Sequence, residues 1–169
     1  MKSKAYKALK DGDLKIGDAT LPCAVIDMGN RVERVLTQRG VLRSLGMSKS
    51  LAMPQPSHEI NGAHISPPFL AADNLKPFIS KYLTAPTNPI IFHPPHGGRT
   101  AYGYPAEILP QVCRVYMEAN KKGVLNQAQQ RVAEKCEMLV HGFATIGIIA
   151  LVDEATGYQE IRDRLALQK

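Results

Sequence analysis

Asp153 and Glu154, followed closely by Thr156, Gly157, Tyr158, Gln159 and Arg162, form a dense polar run directly after an apolar stretch of the 169-residue chain. Two carboxylates beside an arginine are the raw material of a metal site or a general base, with Arg162 holding an anion. Adjacent side chains on a helix diverge by about 100°, however, so Asp153 and Glu154 do not share a face. The spacing fits better with a bend between two helices: Thr156 and Gly157 turn the chain, and Tyr158 and Arg162 lock it. A metal-dependent hydrolase using Asp153 and Glu154 is therefore the least supported of three functional readings.

The remaining candidates for chemistry are weaker still. His93-Pro94-Pro95-His96 places two histidines on a proline-rich turn, without further ligands at a recognised spacing. His141 reads as a solvent-facing or core-bonded histidine. No GxSxG nucleophile elbow and no GxxxxGK[ST] phosphate loop occurs, and Gly97-Gly98-Arg99 reads as a hairpin tip. Cys23, Cys113 and Cys136 are odd in number, lack CxxC spacing and sit in apolar surroundings, as core thiols of a reduced compartment do. No catalytic residue, metal or cofactor is expected, and a cytoplasmic location is.

Charge offers more. The chain carries a formal net charge of +6, and residues 1–50 hold six Lys and four Arg against five acidic residues. Arg31, Arg34, Arg39, Arg43 and Lys49 form the best binding constellation, placed to contact phosphates from a hairpin and a short helix. That helix is too short to read a major groove, and the segment does not fit a helix-turn-helix.

The elements that must carry these residues follow from pattern. Residues 1–10 read as a loose arm and Leu14–Ile16 as a short strand. Leu21–Asp27 and Val32–Thr37 form a hairpin around Met28-Gly29-Asn30. A helix over Gln38–Leu45 ends at Gly46, with Val41, Leu42 and Leu45 inward and Arg39 and Arg43 outward. Eleven of the twelve prolines lie between Pro54 and Pro110, which breaks that region into short elements. A second hairpin spans Ile90–Phe92 and Thr100–Tyr104, and a helix opens near Pro105 or Glu107 and runs to Lys122. Asn126 and Gln129 resemble a capping box before a long helix reaching about Val152, with one more helix from Tyr158. From Phe143 to Val152 the long helix is apolar nearly all round, so it must be buried in the domain or in a partner, and it is too short to span a bilayer.

The expected architecture is thus α+β: two small β-hairpins, each followed by a helix, packed with a C-terminal helical layer containing one long helix. Three segments are expected: a basic hairpin-helix module over 1–47, a loop or linker over 48–63, and a helical main domain with the second hairpin over 64–169.

The run from Gly147 to Gln159 (GIIALVDEATGYQ), followed by Arg162, resembles the signature of the phage P-sixty-three-C domain family, found in phages and prophage-like loci. Ala101-Tyr102-Gly103-Tyr104 leading to Leu109-Pro110, Cys113, Tyr116 and Ala119 is similar to the helix preceding that signature, and Gln127, Ala133 and Cys136 continue it. Leu21-Pro22-Cys23 and Gln38-Arg39-Gly40 to Gly46 are similar to the family's opening. Val32-Glu33-Arg34 looks like added length, and the family pattern runs past the position of Lys169, which reads the chain as a shortened member or a fragment. The resemblance implies a phage or prophage setting and a layout similar to antirepressor-type proteins, but no particular activity.

Two further readings follow. In the first, the chain is a non-enzymatic phage or prophage regulator that binds DNA through its N-terminal basic module and forms homo-oligomers through its C-terminal helices. In the second, it is a protein-binding module that inhibits a host defence or repressor protein. Neither involves a membrane.

Overall fold

The computed structural model describes residues 4–47 and 66–167, with side chains to residue 165. The expected 48–63 linker, Lys49 included, lies outside the described residues. The α+β architecture holds: β1 (Tyr6–Ile16), β2 (Ala19–Asp27) and β3 (Val32–Thr37) lead into α1 (Gln38–Ser44). After two single 3-10 turns come α2 (Lys76–Tyr82), β4 (Ile90–His93) and β5 (Ala101–Pro105). The chain then becomes wholly helical in α3 (Ile108–Lys121), α4 (Gln127–Thr156) and α5 (Tyr158–Leu167).

The strands close into one barrel in the order β1-β2-β3-β5-β4. Four of the five pairings are antiparallel, and β1 meets β4 in parallel through Tyr6↔Phe92 and Lys7↔His93. The basic N-terminal segment and the second hairpin therefore share a sheet. The loose arm expected over residues 1–10 is instead, from Tyr6 onward, the start of β1. A ladder with β2 running from Ala8↔Ile26 to Ile16↔Ala19 overrides the poor strand propensity of its lysines, Asp11, Gly12 and Asp13. Leu9 sits at an irregularity in that ladder and is left exposed.

Two cores result. The barrel interior is small and holds Ala8, Ala24, Ile26, Val35 and Phe92. The larger core lies between the outer barrel wall and the helices, where Leu21, Leu36 and Tyr104 meet Val41, Phe69, Val112, Tyr116 and Cys136. Tyr104 donates to Gln38 Oε1 at 2.8 Å and Tyr116 to the Phe69 carbonyl at 2.8 Å, so the deepest hydroxyls are satisfied.

The helix ends obey local chemistry. Thr37 Oγ1 accepts from the Gly40 amide at 3.1 Å and caps α1. At its far end the Met47 amide reaches the Leu42 carbonyl, with Gly46 in the left-handed region at φ 70°, a Schellman closure. Asn126 and Gln129 form the expected capping box at the start of α4. Pro105 ends β5 rather than opening a helix, and α3 starts at Ile108. α4 continues past Val152 to Thr156, where Gly157 turns it at φ 71°.

Candidate functional site

The N-terminal cations do not act as one group. Arg31 Nε lies 3.2 Å from Glu33 Oε2, which neutralises it at the β2–β3 turn. Arg34 is exposed, pairs with Val25 across the ladder, and offers its carbonyl to the Ala106 amide. Arg39 and Arg43 lie one turn apart on the exposed face of α1, as expected. The opposite face of that helix buries Val41 and Leu42, and Gly40 presses it against β2. A Cβ at Gly40 would stand 2.9 Å from Pro22 Cδ and 2.9 Å from Thr37 Oγ1, so only glycine fits there.

The structure adds two cations that sequence reading missed. Arg131 and Lys135 are exposed one turn apart on α4, and Lys135 reaches α1: its Cγ lies beside Gly46, and it shares a cavity with Arg43. Arg43 and Lys135 thus meet at one cavity, with Arg39 and Arg131 one turn away on their own helices, and none of the four forms an ion pair among the described residues. The i,i+4 spacing of Arg131 and Lys135 was legible along one flank of the Val132, Cys136 and Leu139 stripe. Their meeting with α1 depends on tertiary packing and was not.

The C-terminal signature residues build a helical hairpin. Arg162 Nη1 lies 3.0 Å from Asp153 Oδ2, tying α5 back to α4. Thr156 Oγ1 donates to the Val152 carbonyl at 2.8 Å and accepts from the Tyr158 amide at 3.4 Å. Glu154 and Gln159 are exposed. Asp153 and Arg162 meet each other between helices, as the bend reading required. His96 Nε2 is 3.5 Å from Asp11 Oδ1, His93 is exposed on β4, and no group of three or more His, Cys, Asp and Glu gathers among the described residues. Cys113 and Cys136 are buried side by side; the hydrogen bond between them and burial hold the Cys136 thiol far above its ordinary range. Burial also raises Cys23, against a backbone hydrogen bond from Leu14. These environments disfavour a thiolate at Cys23 and Cys136.

Beyond Phe143, α4 leaves the core. Ile148 and Leu151 are 60% and 61% exposed, and Ile146, Ile149 and Val152 are also open to solvent. At about 100° per residue, Ile148 and Leu151 point away from Asp153, whereas Ile146 and Ile149 lie on its side of α4 and are exposed all the same. On α5, Tyr158, Ile161 and Leu165 form an i, i+3, i+7 stripe that is likewise exposed. Among the described residues, then, nothing buries this apolar segment. By length and composition alone, α4 is also the one helix among the described residues apolar enough to cross a membrane.

Compared with known proteins, the chain matches no family model, no curated protein and no solved structure.

Proposed function

We propose that the protein is a non-enzymatic, phage- or prophage-type regulator that binds DNA through the α1/α4 cation face and pairs with a second copy through the α4–α5 hairpin. The observation that supports the DNA reading is the set of four exposed cations without an ion pair among the described residues: Arg43 and Lys135 at one cavity, with Arg39 and Arg131 one turn away on α1 and α4. Contacts of this kind bind the phosphate backbone without reading base edges. The phage setting rests on the sequence resemblance. Arg34 lies apart on β3 and Arg31 is paired, so they contribute less.

The exposed apolar surface of the hairpin supports self-association. Eight large side chains on it are 44–61% exposed. Together they offer on the order of 800 Å2, one partner's share of a standard protein interface. A single helix cannot cover an all-round apolar neighbour, whereas two hairpins packed as four helices cover both. The apolar run from Phe143 to Val152 is about 15 Å long, roughly half a hydrocarbon core, and Asp153 and Glu154 follow it directly. That length favours a protein partner over a bilayer. The same exposed hairpin supports the second reading, a module that captures a host defence or repressor protein.

Fluorescence-anisotropy titration with duplex and single-stranded DNA tests the first reading. Affinity should fall about a hundredfold between low and moderate salt if four phosphates are neutralised. Arg39→Ala/Arg43→Ala should weaken binding and reduce the salt slope by about two. An absence of binding at low salt would sink the DNA reading and leave the protein-capture reading, which pull-down from a host lysate would pursue.

A further inference from the structure

The β1–β2 turn, the end of α1 and the middle of α4 enclose a cavity of about 320 Å3. That is the small end of the range that ligand sites occupy. Its base is apolar, formed by Ile16 and Leu139, both nearly fully buried, with Met138 as an adaptable wall. Arg43 and Lys135 line it without an ion-pair partner among the described residues. Asp18 lines it as well, not within salt-bridge distance of either cation. The cavity exists in this form because α4 carries glycine at 142: a Cβ there would collide with Ile16 Cγ2, so the turn could not sit so close to the helix.

The geometry points to a binding site for a small monoanion with an apolar body, an aromatic or aliphatic carboxylate. The floor takes the apolar body out of water, and the Arg43 guanidinium and Lys135 ammonium meet the carboxylate with charge-assisted hydrogen bonds. Asp18 repels further negative charge, which selects a monoanion over a phosphate dianion or a polyanion. An occupied cavity also withdraws Arg43 and Lys135 from the DNA face, which makes the ligand an antagonist of DNA binding. This last consequence rests on the DNA reading, whereas the site itself does not.

The test is a two-dimensional 1H–15N NMR titration of the whole chain with 2-naphthoate. The expected result is saturable shifts centred on the Gly17, Ser44 and Gly142 amides, with half-saturation on the order of 1 mM or below. Arg43→Gln/Lys135→Gln should weaken binding about tenfold. Neutral 2-naphthamide and inorganic phosphate should not saturate the same resonances. Both substitutions are at solvent-facing positions, and Lys135→Gln alone serves if the pair disturbs the spectrum. Shifts centred instead on the α4–α5 hairpin, equal affinity for the naphthamide, or undiminished binding by the variants would overturn the site. No DNA is present in this titration, so its failure and the failure of the DNA reading are separate results.

Discussion

Gly103 shows how one missing methyl group decides the barrel interior. A Cβ at this position would stand 3.0 Å from Val35 Cβ and Cγ2 and 3.1 Å from Phe92 Cε1. All three residues are buried in a small core with little room to relax. Gly103→Ala should therefore cost about 1–3 kcal/mol through overpacking, read as a lower urea midpoint at unchanged slope. An unchanged midpoint would mean that the barrel yields more readily than its packing indicates. Some glycines were readable in advance and others were not. Gly29 and Gly46 announced themselves as turn and helix-end residues, and both adopt positive φ. Gly40, Gly103 and Gly142 face Pro22, Val35 and Ile16, which are distant in the sequence, so no local pattern marked them. Among the cations the same division holds: the exposure of Arg39 and Arg43 followed from helical spacing, while the pairing of Arg31 with Glu33 needed the turn geometry.

At the scale of elements, the helices were the legible part. α3 and α4 follow their apolar periodicity, and the Asn126 capping box and Gly157 stop are local signals. Of β1 only Leu14–Ile16 was legible, because the stability of the rest comes from β2 and β4 rather than from its own residues. The hairpin of α4 and α5 was half legible: the apolar run was evident, and only the structure shows that the described residues leave it uncovered. On the proposed self-association the wild-type chain sediments as a dimer, and Ile148→Glu/Leu151→Glu should convert it to a monomer in sedimentation velocity. Because both side chains already face water in the isolated chain, unfolding of the monomer should change by no more than about 0.5 kcal/mol. A dimer that survives both charges would assign self-association to another surface.

For the whole molecule, the α+β class and the pairing of each hairpin with a following helix were apparent in the sequence, whereas barrel closure was not. Strand order depends on which edges find each other after the helices pack, and no single segment encodes that. The closing seam joins Tyr6 to Phe92 and Lys7 to His93, and β3 completes its ladder only with β5. This has a consequence for biosynthesis. A ribosome adding about 5–20 residues per second needs roughly 3–14 s to travel from Thr37, the end of β3, to Pro105, the end of β5. Over that interval the β1–β2–β3 meander has both outer edges unpaired, the state in which strands most readily join another chain. Nascent chains arrested with β5 still inside the exit tunnel should be rapidly cleaved by protease, and those arrested after α3 has emerged should resist it. Protection already present with β5 still in the tunnel would show that the three-stranded meander folds without its closing partners.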